Sequence, residues 1–477
     1  MERLSLTDLL APSSPAMELA GAFTDAGNDL YLVGGPVRDA WLKRPHEDLD
    51  FATDATPEET QKIVKPLARA VWLQGVDYGT VGAEIAGIRM EITTFRTETY
   101  QPGSRHPKVD FATDIETDLS RRDFTINAMA IRLPDGKAID PFGGAKDLAA
   151  GVIRTPLDPE ISFSDDPLRM LRAFRFQSQL GLKIEASVLS AISDLREKIL
   201  TVSAERIRDE FSKLVLGDGL DKALQQADAT GITDLFLPEL SGLKLEQDPV
   251  HKHKDVFHHT LAVAMRTRSD LDLRLAALLH DIGKPKTRKI EAEGVTFHHH
   301  EIEGARMAGE RLRELRYPNQ TVLTVVDLIR LHHRFHTYRL GWSDSAVRRY
   351  VRDAGGLLGL LNELVRADCT TRNPAKAKKL QARMDELEER IADLASREEL
   401  QSLRPELDGV QIMAFLGVEP GPVIGEAYEF LLELRLEEGV LGTETVYERL
   451  DSWARERGVT PVGEKVPPKP KKRSEGD

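Results

Sequence analysis

Cysteine is almost missing from this chain: Cys369 is the only one in 477 residues. No intrachain disulfide can form, which fits a reducing, cytoplasmic setting. Long apolar runs are missing too. None approaches the ~18 residues that a membrane span requires. The opening MERLSLTDLLAPSSPAMELA lacks a basic region followed by an apolar core, so no secretory leader and no membrane partner are expected. Positive charge is in deficit. Lys and Arg number 65 against 78 Asp and Glu, a net charge of −13. That excludes a broadly cationic nucleic-acid binder but leaves room for local basic patches. No internal repeat is present. What remains is a soluble globular composition, long enough for roughly two to four domains.

The most informative stretch is Tyr31 to Asp54, YLVGGPVRDAWLKRPHEDLDFATD. The apolar run Leu30 to Val33 reads as a buried strand. Gly34 and Gly35 break it, and Pro36 to Leu42 reads as a helix with proline near its start. A glycine pair between strand and helix lets backbone N–H groups approach an anion, and the helix N-terminus adds partial positive charge. Arg38, in the first turn, can take a phosphate oxygen. If Glu47 to Phe51 is a strand, Asp48 and Asp50 share a face. Two carboxylates that close repel unless a cation lies between them, and hard oxygen ligands suit Mg2+. Alone, a Gly-Gly turn or a D-x-D pair is commonplace. Together, with Arg38-Asp39 between them, they point to metal-assisted nucleotidyl transfer.

Elsewhere in the first third, Pro57 to Ala70 reads as a helix capped by Thr56. Val71–Gly75, Gly79–Ile85 and Ile88–Phe95 read as strands. Two readings are open for Glu91: a third acid facing Asp48 and Asp50, or a solvated strand carboxylate. Residues 97 to 114, rich in Pro, Gly and charge, read as a mobile loop. Asp118 to Ala128 (DLSRRDFTINA) reads as a turn entering a helix, with Arg121 and Arg122 as a phosphate clamp and Asp123 holding one of the two guanidiniums in place. From Ser162 onward helical periodicity dominates. Ser164-Asp165-Asp166-Pro167 reads as a helix start with Ser164 as N-cap. The helix then carries Arg169, Arg172 and Arg175 at spacings of three, broadly on one face with Asp166. Arg206, Arg208 and Glu210 lie on the next helix.

Eleven of the thirteen histidines fall between 251 and 336. His258-His259, His280-Asp281, His298 to His300, His332-His333 and the distal Asp368 can converge on one divalent metal. Which of His258 and His259 faces it is open. Pro374 to Leu403 reads as an amphipathic packing or partner helix. The Pro- and Lys-rich end reads as a disordered tail.

Five motifs resemble one family. They are Gly34-Gly35-Pro36-Val37-Arg38-Asp39, Asp48-Leu49-Asp50, Arg121-Arg122-Asp123-Phe124-Thr125-Ile126-Asn127-Ala128, Asp140-Pro141-Phe142-Gly143-Gly144 and Asp165-Asp166-Pro167-Leu168-Arg169. In order and spacing, over roughly 1 to 245, they resemble the bacterial CCA-adding tRNA nucleotidyltransferases of the class that includes the bacterial poly(A) polymerases. The family usually has Glu-Asp in the last motif, where this chain has Asp165-Asp166. Residues 250 to 370 look like an appended HD domain, carried by His259, His280, Asp281 and Asp368.

The resemblance implies an α+β, mostly α fold. A polymerase-beta-like nucleotidyltransferase head (1–160) would precede a helical neck and RNA-binding domain (161–248), an HD domain (249–372), a helical C-terminal region (373–460) and a disordered basic tail (461–477). It implies Mg2+ on Asp48 and Asp50, and nucleotide contacts from Gly34, Gly35, Arg38, Arg121 and Arg122. Asp166 and Arg169 would read the base, with Arg172 and Arg175 in support. Residues 97 to 114 would help switch from C to A addition. The implied partners are tRNA, CTP and ATP; oligomeric state is not implied. A second divalent metal would sit in the HD domain. The alternatives are a poly(A) polymerase, a partial CC- or A-adding enzyme, or an HD metal phosphohydrolase with an RNA-binding head.

Overall fold

The computed structural model describes residues 10–44, 49–99, 108–112, 114–244, 256–291, 294–337, 342–369, 374–398 and 403–466. The chain divides into two compact units, Met1–Gly242 with Arg311–Tyr317, and Leu243–Glu310 with Pro318–Asp477.

The first unit opens with the helix Pro15–Asp25, N-capped by the Ser14 side chain. A mixed sheet follows, built from β1 (Leu30–Val33), β2 (Leu49–Thr53), β3 (Ala70–Gly75), β4 (Thr80–Ile85) and β5 (Ile88–Thr94). A short ribbon, β6 (Arg96–Thr99) and β7 (Lys108–Phe111), precedes β8 (Ala130–Leu133) and β9 (Ala138–Ile139). The seven-stranded order is β3-β4-β5-β2-β1-β8-β9. Every residue of β1 is buried, as its unbroken apolar run requires for a strand flanked on both sides. β2 runs antiparallel to β1 but parallel to β5, with Asp50 in register with Glu91. The two acidic side chains therefore leave the same face of the sheet. Asp48 lies outside the described residues.

Three expectations are corrected. Residues 97 to 114 are not simply a loop: Arg96–Thr99 and Lys108–Phe111 pair antiparallel, although 100–107 lie outside the described residues. Asp118 belongs to the helix Ile115–Ser120, and the chain leaves that helix through a turn into the short 3-10 segment Thr125–Asn127. Ser164 is not an N-cap. It sits within the helix Pro159–Asp165, where its hydroxyl donates to the Glu160 carbonyl. Asp166 breaks that helix in extended conformation, and its carboxylate accepts from the Leu168 amide at the start of the next helix, Leu168–Leu180. Pro167 has no N–H to extend the first helix, so two helices meet at Asp166.

Leu168–Leu180 packs against Ala204–Val215 and Leu220–Ala229. Phe174, Phe176 and Phe211 are fully buried there. The second unit holds a bundle of Val256–Ala264, Leu271–Leu279, Asn319–His332 and Leu358–Asp368. It also holds a hairpin, Lys289–Glu291 with Gly294–Thr296, that the sequence reading did not contain. The long helix Pro374–Arg397 buries Met384, Leu387 and Leu394. Residues 403–466 form helices around Ile412, Leu431, Tyr447, Leu450 and Trp453. Residues 467–477, the end of the expected tail, lie outside the described residues. Among the described residues, no helix is long and apolar enough to cross a membrane.

Candidate functional site

The glycine turn after β1 opens onto a cleft of about 700 Å³. Gly34 has φ +74° and ψ −131°, a conformation open almost only to glycine. A Cβ there would come within 2.9 Å of Arg122 Nη1 and 3.9 Å of Asp50 Oδ2. The turn thus packs directly on a guanidinium and the β2 carboxylate. Gly144 serves the same face from behind. A Cβ on it would lie 2.1 Å from the Thr125 carbonyl, so glycine lets the helix Gly144–Ala150 seat against the 3-10 segment. Asp140 caps that helix through the Gly144 and Ala145 amides at 2.7 and 3.0 Å.

Eight arginines line the cleft: Arg38, Arg96, Arg121, Arg122, Arg169, Arg172, Arg175 and Arg206. Among the described residues, three acids do: Asp50, Asp123 and Asp166. In a chain of net charge −13 this local excess marks the place where an anion is favoured.

Each guanidinium is held. Arg38 makes a two-pronged bond to Asp39, both arms at 2.9 Å, and gives its remaining arm to Asn127 Oδ1 at 2.6 Å. Asn127 donates onward to Asp123. Asp123 also accepts from Arg172 Nε at 2.8 Å. Burial alone would raise the Asp123 carboxyl, but Arg172, Asn127 and Arg169 hold it well below the carboxylate range. Glu210 binds Arg175 through both oxygens at 2.9 Å and reaches Arg172 as well. Phe176 is the floor beneath them. The Arg175 guanidinium lies 4.2 Å from its ring centre, and those of Arg38 and Arg172 at 5.2 and 5.6 Å. Burial first, then the neighbouring Arg172, lower the Arg175 pKa.

Asp123 was expected to steady Arg121 or Arg122. The structure corrects this: Asp118 does so. Its buried carboxylate accepts from Arg121 at 2.6 Å and from Arg122 at 3.1 Å. The reason is helical spacing, three and four residues, which brings these side chains together, while Asp123 turns inward to Arg172. Burial pushes the Asp118 carboxyl up, yet the two guanidiniums bring it below its ordinary value. Arg122 Nε is buried and has no hydrogen-bond partner.

Arg169 and Asp166 are near each other but have other partners. Arg169 donates to the Ser162 hydroxyl at 2.9 Å and to the Arg121 carbonyl at 2.5 Å. Asp166 pairs with Arg206 at 2.9 Å. Arg206, Asn127 and Phe176 line the cleft, and none was expected in it. Arg206 had a signal in its place on a second arginine-rich helix, and Asn127 in its place within the motif Arg121 to Ala128.

The second unit contains a separate centre. His259 Nε2 lies 3.0 Å from Asp368 Oδ1 and 3.6 Å from Asp281 Oδ2, which settles His259 over His258 as the inward-facing residue. His280 Nε2 lies 3.3 Å from Asp281 and 3.6 Å from Asp368. All four expected residues meet. Two further histidines, His300 and His332, join Asp281 in a second group. The Nδ1 atoms of His280, His300 and His332 each bond a main-chain carbonyl, of Ala277, Phe297 and Ile329, leaving Nε2 directed inward. This is how proteins orient imidazoles as metal ligands. Burial would lower the His280 pKa, but Asp281 and Asp368 raise it to about 10. His332, buried among other imidazoles, drops to about 3 and stays neutral. The nitrogen and oxygen donors fit a divalent cation.

Residues 30–154 match the poly A polymerase head domain. Residues 181–243 match the probable RNA and SrmB-binding site of polymerase A, and 256–400 match the HD domain. The chain is 42% identical over 225 residues to the CCA-adding enzyme of Leuconostoc mesenteroides, covering 47% of this chain and 55% of that one. It is 43% identical over 225 residues to that of Streptococcus gordonii, covering 46% and 55%. The match thus spans about half the length of these curated relatives. Among solved structures, the Bacillus stearothermophilus CCA-adding enzyme in complex with CTP superposes with TM-score 0.68 at 27% identity, covering 94% of this chain and 99% of that one. The Thermotoga maritima CCA-adding enzyme complexed with tRNA shares the fold, at TM-score 0.59 and 20% identity, covering 95% and 100%.

Proposed function

We propose that this chain is a nucleotidyltransferase that builds or repairs the 3′-terminal CCA of tRNA from CTP and ATP. The observation that carries the reading is the placing of Asp50 beside the Gly34 turn, at the mouth of an arginine-lined cleft. Asp48 and Asp50 would hold Mg2+, which when bound makes the tRNA terminal hydroxyl more acidic and offsets charge on the triphosphate. Gly34 and Gly35 present backbone close to the phosphates. Arg38, Arg121 and Arg122 bind the phosphate oxygens, pre-oriented by Asp39, Asn127 and Asp118. Arg172 and Arg175, held by Asp123 and Glu210, carry the remaining positive field.

Base choice rests on Asp166 and Arg169. Cytosine and adenine each show an exocyclic amine beside a ring nitrogen. A carboxylate accepts from the amine and a guanidinium donates to the nitrogen. Uracil and guanine present the reverse pattern and leave both groups unpaired. The ribbon around 97 to 114 would help switch from C to A addition. The chain would act in the cytoplasm, with a head at 1–160, a neck at 161–248, an HD domain at 249–372, a helical region at 373–460 and a tail at 461–477. The HD domain would add a metal-dependent phosphohydrolase activity.

The test supplies tRNA lacking CCA with CTP alone, ATP alone, and both. Ordered addition of two C and one A supports the reading. Long A tails on varied RNAs would instead make the chain a poly(A) polymerase. No incorporation at all would remove the transferase.

A further inference from the structure

Three arginines of the cleft are each gripped by a carboxylate: Arg38 by Asp39, Arg172 by Asp123 and Arg175 by Glu210. All three also share one aromatic ring. The guanidinium carbons of Arg175, Arg38 and Arg172 lie over Phe176, at 4.2, 5.2 and 5.6 Å from the ring centre. Each falls inside the ~6 Å over which the negative face of a ring attracts a cation. Contacts of this kind occur about once per 70–80 residues in folded proteins. Three on one ring is more than a packing floor needs, because any apolar side chain of similar size would fill the space.

The three arginines do not share an element. Arg38 belongs to the helix Gly35–Trp41, directly after the glycine turn, whereas Arg172, Arg175 and Phe176 belong to the helix Leu168–Leu180. The ring therefore ties the element that carries the turn to the element that carries the arginine row. It is itself fixed. Phe176 is 2% exposed, and the buried Phe124 meets it edge-on, with ring centres 5.7 Å apart and planes at 88°. Phe124 lies in the stretch whose Asn127 and Asp123 accept hydrogen bonds from Arg38 and Arg172.

Crowding three like charges is unfavourable. Burial, then the neighbouring Arg172, lower the Arg175 pKa, and Arg175 Nε is buried with no hydrogen-bond partner. A carboxylate offsets that cost by neutralising the guanidinium, which also cancels the field an incoming phosphate would feel. A phenyl ring has no net charge. Its quadrupole attracts the cations and leaves their positive field directed into the cleft.

We propose that Phe176 is a positioning residue for the nucleoside triphosphate: its π face holds Arg38, Arg172 and Arg175 together as cations, and so sets the affinity of the cleft for a polyphosphate chain. The inference rests on the transferase reading above and names the triphosphate as the part of the substrate that the ring serves. With three guanidiniums over it, the ring acts through them and is not a stacking surface for the base.

Full-length protein carrying phenylalanine with one, three or five ring fluorines in place of Phe176 tests this. Fluorine withdraws negative charge from the ring face and leaves the shape of the side chain almost unchanged. With tRNA lacking CCA, the KM for CTP and for ATP should rise stepwise with fluorine number, by about 10-fold in the pentafluoro protein. The rise in KM should exceed any fall in kcat, as for a lost binding contribution. A flat KM across the series overturns the proposal. Phe176→Leu, which fills the space without a π face, should match the pentafluoro protein, and a wild-type KM there overturns the proposal as well. Because the leucine variant can lose its fold, the near-isosteric fluorinated series decides, with thermal unfolding measured on each sample. Calorimetric titration with inorganic tripolyphosphate needs neither tRNA nor transfer, and its affinity should fall in the same order. Wild type that incorporates nucleotide while KM and tripolyphosphate affinity stay flat across the series would remove Phe176 and leave the transferase. Tripolyphosphate affinity that follows fluorine number in a protein that incorporates nothing would remove the transferase and keep the role of the ring.

Discussion

Arg206 and Asp166 are joined by an ion pair of 2.9 Å between the helix Ala204–Val215 and the break that precedes Leu168–Leu180. Asp166 also accepts the Leu168 amide through its other oxygen. The carboxylate assigned to base reading is therefore oriented from two sides before any nucleotide enters.

Removing Arg206 should loosen that orientation. In Arg206→Ala, discrimination of CTP and ATP against UTP is expected to fall about tenfold, a typical magnitude for a lost positioning contact. Arg206→Lys should restore part of it. Competition kinetics with labelled nucleotides measure this, and unchanged selectivity in the alanine variant would rule the role out.

Asp50→Ala should reduce nucleotide incorporation by about 10³-fold or more, as expected for a group acting on the reacting atoms. Binding of tRNA, followed by gel shift, should persist. Near-normal incorporation would remove Asp50 from the chemistry.

Gly34→Ala tests the turn. The φ of +74° and the 2.9 Å approach to Arg122 leave no room for a methyl group. Strain of about 1–3 kcal/mol is expected, with Arg122 pushed aside. Thermal unfolding should shift down and the KM for both nucleotides should rise. A variant with wild-type KM would show that the turn does not touch the nucleotide.

Asp123 links pH to stability. Its folded pKa lies well below the ordinary 3.8 because Arg172, Asn127 and Arg169 outweigh its burial. A carboxyl depressed in this way stabilises fully above the unfolded value and loses that contribution as pH falls through the folded one. Wild-type stability should therefore decline below about pH 4, partly through this group. Asp123→Asn leaves Arg172 without its main partner and should cost about 3–5 kcal/mol at neutral pH. Its stability should also fall less steeply in acid. Parallel melting curves from pH 3 to 7 decide it, and equal acid slopes would remove Asp123 as a contributor.

Much of the head was readable because its signals are local. A buried apolar strand, a glycine pair, a proline-started helix and an acidic strand follow one another within 25 residues, and the structure keeps Asp50 at the turn. The Thr56 cap closes as a full capping box with Glu59. Distance along the chain was less helpful for pairing. Asp123 stands next to Arg122 in sequence yet binds Arg172, and Asp118 takes both arginines, one of which the sequence suggests for Asp123.

The linear chain by itself determined which chemical groups are available and which lie on a common helical or strand face, because backbone periodicity is a short-range property. It thereby established the glycine turn, the acidic strand, the arginine row and the histidine-rich half. Only tertiary structure decided that Arg206 grips Asp166, that Phe176 underlies three guanidiniums, and that His300 and His332 complete a second ligand group around Asp281. Those partners are separated by tens of residues, and which of many like-charged or aromatic side chains meet is set by packing of whole helices, not by any pattern within one.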